Sequence, residues 1–164
     1  MLKKIRIVTL LLILLLIIAG CGKKEAPKYS GIVYPPTSEV KSVFQPGQVS
    51  KVCRIFAEVL VSLPANSTGK GIHDYVITEA GLRGAEMVLI GQSRESEDDD
   101  GPVFHYFGPD KEYLCSEKWC GWKGGYDLWA KQGDWVNIGL NEWGNGAVFY
   151  DYPIVMQVAY LRCR

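Results

Sequence analysis

The 164-residue sequence predicts an α+β domain: a small mixed sheet with one main helix, stapled by disulfides. Three observations predict that class. Residues 52–63 alternate with the period of a strand, placing Ile55, Ala57, Val59, Val61 and Leu63 on one face and Arg54, Glu58 and Ser62 on the other. Ile72, Tyr75, Val76 and Ala80 then recur at helical spacing. Two further apolar runs, 85–90 and 154–163, have strand length, and the second is apolar on both faces, as an interior strand would be.

The chain begins with Lys3, Lys4 and Arg6, followed by an apolar run from Ile7 to Ile18 broken only by Thr9. A bilayer core of about 30 Å takes about 20 helical residues to cross, so this run is too short. A basic start, a short apolar centre and small residues at its end have the anatomy of a secretory signal. The end, Ile18-Ala19-Gly20-Cys21, resembles the lipobox of bacterial lipoproteins. That resemblance implies removal of residues 1–20, a diacylglycerol thioether on Cys21 and a fatty acyl chain, such as palmitate, on its freed amine. Each buried CH₂ contributes about 0.8 kcal/mol and a single chain holds only reversibly, so several chains anchor stably. Gly22 stands where an Asp would imply inner-membrane retention. The resemblance therefore implies an outer-membrane anchor facing the periplasm in a host with two membranes.

Residues 21–48 carry Pro27, Pro35, Pro36 and Pro46 and no helical period, which predicts an extended tether behind the lipidated Cys21, with pairing of Ile32-Val33-Tyr34 as a strand or its binding to a partner as the alternative. A coil of this length, about 27 residues, reaches up to roughly 90 Å fully stretched. Residues 49–164 form the predicted domain. Pro64-Ala65-Asn66-Ser67-Thr68-Gly69 is a loop with capping residues at its end, and Gly84 suits a helix stop. Strand 52–63, the helix and strand 85–90 make one crossover unit with its strands parallel or nearly so. Residues 92–134 show no clear period and read as an insertion. The stretch 135–150 reads as a hairpin around Asn145-Gly146. Pro153 opens the last strand.

Charge and cysteine usage narrow the function classes. The chain balances 18 basic against 18 acidic residues, which argues against nucleic-acid binding. Beyond Cys21 lie Cys53, Cys115, Cys120 and Cys163, an even number that suits two disulfides in an exported domain. Cys53 opens the first strand and Cys163 closes the last, so antiparallel neighbours would bring them together. Cys115 and Cys120 are close enough for a local loop. Swapped pairings and free thiols are the alternatives. Closing the long loop contributes about 4 kcal/mol in the chain-entropy model.

The candidate chemistries are weak. Cys115, Cys120 and His105 match no paired-cysteine zinc spacing, and four residues between the cysteines exclude the thioredoxin pattern. Gly91-Gln92-Ser93-Arg94-Glu95 begins like a nucleophile elbow, but Glu95 occupies the position that needs Gly. Glu95, Glu97, Asp98, Asp99 and Asp100 do not meet calcium-loop spacing and read as a solvated loop. His73 reads as a surface histidine. No catalytic, cofactor or metal residue is assigned, and no enzyme activity is expected. The aromatic residues are more informative. Trp119, Trp122, Trp129, Trp135 and Trp143 fall within about 25 residues. Trp135 reads as core. Trp119 and Trp122, in a Gly-rich stretch beside the cysteine pair, are the candidate binding surface.

Leu82-Arg83-Gly84-Ala85-Glu86-Met87-Val88-Leu89 resembles a helix-to-strand junction of small outer-membrane envelope lipoproteins such as the stress sensor of the Rcs phosphorelay. The cysteine order and the Trp-rich insertion depart from that layout, and no functional residue is carried over. The expected function is a non-catalytic, lipid-anchored envelope protein that acts through protein contact in assembly, sensing or secretion. The alternative is a glycan- or peptidoglycan-binding module that uses the Trp-rich surface.

Overall fold

A computed structural model describes residue 29 and residues 31–99, 101–115 and 124–163. The expected signal segment, Cys21, Cys120, Trp119 and Trp122 lie outside the described residues. In chain order the elements are β1 (Lys41–Val43), β2 (Cys53–Leu63), β3 (Ser67–Thr68), α1 (Gly69–Leu82), β4 (Met87–Glu95) and β5 (Val103–Phe107). Then come β6 (Tyr113–Leu114), α2 (Tyr126–Trp129), β7 (Trp135–Val136), β8 (Phe149–Tyr150) and β9 (Ile154–Cys163). The main sheet runs β1-β4-β9-β2-β5, with β6 added to β2 and β7 to β4. Its pairings are antiparallel except β1 with β4. The fold is the expected α+β arrangement with one main helix.

β9 is interior because both of its faces are apolar. Ile154, Met156, Val158 and Tyr160 join the core under α1, while Val155, Ala159 and Leu161 pack on the opposite face. β9 separates β2 from β4, which therefore point the same way on either side of it. Cys53 lies directly opposite Cys163 in this register, and the two form a disulfide that spans 110 residues of sequence.

α1 forms where the sequence signals it. The Thr68 hydroxyl accepts the Gly71 N–H at 3.0 Å and caps the first turn. Ile72, Val76 and Ala80 are fully buried against the sheet, whereas Tyr75 is half exposed. At the far end the N–H groups of Gly84 and Ala85 donate to the carbonyls of Gly81 and Ala80. That closing pattern needs a left-handed residue, and Gly84 supplies it at φ 83°.

Four local expectations change. A bulge at Phe56 moves the register between Ile55 and Ala57. Ile55 therefore joins Cys53, Leu89 and Leu161 on the face away from α1, while Val59, Val61 and Leu63 stay beneath the helix. Residues 135–150 do not form a hairpin: β7 pairs with β4, and β8 pairs with β3. The insertion contains β5, whose Val-Phe-His-Tyr-Phe run pairs with Glu58–Ser62 of β2. Lys41–Val43, expected in the tether, is an edge strand of the sheet.

Candidate functional site

The sheet face away from α1 is where the aromatic insertion packs, and Glu58 on β2 holds it there. Its carboxylate accepts the Tyr113 hydroxyl at 2.6 Å and the Gly124 backbone N–H at 2.7 Å. Glu58 is 6% exposed, so these bonds are desolvated and strong. Burial and then the Glu58 carboxylate push the Tyr113 phenol far above its usual range. Gly125 follows at φ 69°, and a Cβ there would lie 2.6 Å from the Phe107 ring. Only glycine lets the backbone come this close and open α2.

α2 then drives Trp129 into the gap between Leu60, Val155 and Phe107, leaving the indole 3% exposed. Arg94, at the end of β4, lies over it. The guanidinium sits 4.8 Å from the Trp129 ring and 4.5 Å from the Trp135 ring, and the two rings meet edge to face at 5.3 Å. Arg94 also donates to the carbonyls of Ala130 and Gln132, each at 3.0 Å. One cation thus bridges two indoles and two carbonyls, each cation–π contact contributing about 0.5–1 kcal/mol.

The outer side of this cluster is open. Trp135 is 59% exposed, Leu128 56% and Tyr126 46%. Trp135 is therefore surface, contrary to the sequence reading that placed it in the core. β7 is an edge pairing of two residues, and its alternation points Val136 inward and Trp135 outward. The sequence could not distinguish Trp129 from Trp135, because nothing in composition shows which one meets Leu60.

The other candidates are placed as follows. Ser93 is buried in β4 at 3% exposure, neither a loop serine nor an accessible nucleophile. Glu97, Asp98 and Asp99 are exposed, and Asp99 accepts the Ala65 N–H at 3.0 Å. Among the described residues no group of three His, Cys, Asp or Glu could hold a metal ion. His105 is half-buried on β5. His73 lies 3.0 Å from the Asp74 carboxylate, which Lys70 and His73 hold below the usual range. Cys115 is disulfide-bonded, and its expected partner Cys120 lies outside the described residues.

An open groove of about 500 Å³ runs between α1 and β5, and its acids are Asp74 and Glu79. Both are engaged, Asp74 by Lys70 and Glu79 by Arg83 at 2.7 Å and by the Tyr106 hydroxyl. No protein-family model matches the chain, and no curated protein and no solved structure matches it either.

Proposed function

We propose that this chain is a non-catalytic, lipid-anchored protein of the bacterial cell envelope that works by protein contact. Its contact surface is the shelf formed by Tyr126, Leu128 and Trp135. The lipobox-like Ile18-Ala19-Gly20-Cys21 supports the anchor, to the outer membrane in a host with two membranes. The observation that carries the contact reading is the exposed Trp135, braced from below by Arg94 and the buried Trp129. A large aromatic residue held in place by its neighbours loses little entropy on binding, which is the character of an interface hot spot.

The test uses the full chain with its signal segment. A photo-crosslinking residue at Leu128 should give one discrete protein adduct, and Trp135→Ala should reduce that adduct strongly. About 2 kcal/mol of lost affinity corresponds to roughly thirtyfold. Binding of the purified protein to peptidoglycan, abolished by Trp135→Ala and with no protein adduct formed, would replace this reading with the glycan-binding one. For the anchor, Cys21→Ser should release the protein from membranes or leave the precursor uncut. Unchanged fractionation and unchanged mobility would refute it.

A further inference from the structure

Tyr29 and residues 31–44, which a proline-rich composition marks as free tether, are clamped to the domain. The Tyr29 ring lies 4.6 Å from the Arg83 guanidinium and meets the Tyr106 ring edge-on at 4.7 Å. Its hydroxyl donates to the Ile32 carbonyl at 2.5 Å. Tyr34 meets Phe56 edge-on at 5.0 Å, takes the Arg162 guanidinium over its face at 4.7 Å and donates to Glu112. A Cβ on Gly84 would lie 2.5 Å from the Pro35 carbonyl oxygen, so the chain runs directly over that glycine. Thr37 donates its N–H to Gly81 at 3.0 Å and its hydroxyl to Ala85. Lys41 donates to Glu86 at 3.0 Å, and β1 then enters the sheet beside β4. These contacts come from α1, β2, β4, β5 and β9, so the segment is part of the folded unit.

We infer that residues 29–44 are a strap that seats the domain close to the bilayer carrying Cys21, an inference that rests on the lipid-anchor reading. With Tyr29 clamped, eight Cα-to-Cα steps separate the domain from the anchored cysteine. At 3.3–3.6 Å each they span at most about 29 Å, against roughly 90 Å for a tether free as far as residue 48. As a flexible coil the same stretch averages about 16 Å. A domain of this size is on the order of 40 Å across. Every point of its surface, the Trp135 shelf included, then stays within about 70 Å of that bilayer. On this reading the Trp135 shelf meets its protein partner within that distance of the bilayer.

The experiment reconstitutes the full acylated chain into phosphatidylglycerol-containing vesicles with a headgroup-labelled acceptor lipid and a donor dye at position 110. Three chains are compared: the wild type, Tyr29→Ala/Tyr34→Ala, and a chain with a twenty-residue Gly/Ser insertion between Lys28 and Tyr29. The insertion leaves every strap contact intact, so it stays informative if the double variant folds poorly. Energy transfer should be highest in the wild type and fall at least twofold with the insertion, and to a lesser degree when the strap is released. A fall well short of twofold with the insertion, the response of a tether already free as far as residue 48, would overturn the strap, as would unchanged transfer in a folded Tyr29→Ala/Tyr34→Ala chain. A wild type that does not partition into vesicles, or a Cys21→Ser chain that partitions as well, overturns the anchor reading instead.

Discussion

Trp129 and Trp135 touch the same arginine, yet their truncation should have very different consequences. Trp129 is 3% exposed and fills the space between Leu60, Val155 and Phe107. Trp129→Ala removes that burial and leaves a cavity under the insertion, a change that costs about 3–5 kcal/mol for a buried aromatic residue. Trp135 is 59% exposed, so its truncation forfeits one cation–π contact with Arg94 and one edge contact with Trp129, on the order of 1–2 kcal/mol together. For a domain of this length the first change should lower Tm by on the order of 10–20 °C and the second by about a third of that or less. Urea denaturation followed by circular dichroism gives both free-energy losses, provided the slope m is unchanged, and a thermal scan gives the two Tm shifts. Equal losses for the two variants, or a loss below about 1 kcal/mol for Trp129→Ala, would refute the assignment of one indole to the core and the other to the surface.

Three further outcomes follow from named contacts. Burial raises the phenol pKa values of Tyr106, Tyr113 and Tyr160, and lifts that of Tyr150 to about 12. A raised folded-state value means the native state holds protons that the unfolded state releases. Stability should therefore be intact below pH 10 and fall between about pH 10 and 12, with ionisation of these four phenols coinciding with loss of the fold; titration of these four near 10 in the intact fold would contradict this. Cys53→Ala/Cys163→Ala opens a 110-residue loop and should cost up to about 5 kcal/mol, read as a lower denaturation midpoint; an unchanged midpoint would refute the loop-entropy account. Glu58→Ala removes the acceptor that the Tyr113 hydroxyl and the Gly124 N–H share in a buried setting and should cost about 2–3 kcal/mol, while Glu58→Gln, which keeps an acceptor oxygen, should cost less; equal costs would mean that the acceptor is not what matters.

Where side-chain period and burial coincide, the sequence was readable. Strand β2, the helix from Gly69 to Leu82 and the central strand β9 carry long periodic runs, and two strands apolar enough to be neighbours brought Cys53 to Cys163. Short elements were not readable, because a two-residue pairing such as β7 or β8 leaves no period to detect. β5 was missed for a different reason. Its five residues are β-branched or aromatic apart from His105, a usable strand signal, but they lie between polar loops that dominate any longer window. The Phe56 bulge is invisible in an unbroken apolar run, and it alone decides which face Ile55 joins. At the candidate site, the sequence picked out the aromatic insertion but not which of its indoles faces solvent. That choice is made by Gly125, by the gap beside Phe107 and by Arg94, none of which lies next to Trp135 in the chain.

The two faces of the sheet carry different burdens. The α1 face is closed by a helix and by the strap, and its outer contacts are tyrosines paired with arginines: Tyr29 with Arg83, and Tyr34 with Arg162. The opposite face is closed by an insertion that could not hold itself in place, since its only helix among the described residues is the four-residue α2. Its order depends on Glu58 reaching out of the sheet and on Arg94 reaching across two indoles. Such a clasp fixes the position of exposed aromatic residues without making them part of the core. Substituting Arg94 separates the two effects. Arg94→Lys keeps the charge but cannot bond both carbonyls in the plane that also stacks on the rings. It should leave β4 and β9 intact while loosening Trp135, seen as a drop in the steady-state tryptophan fluorescence anisotropy of a chain that keeps Trp129 and Trp135 and replaces the other tryptophans by Phe. Unchanged anisotropy would mean that β7 pairing alone holds the shelf.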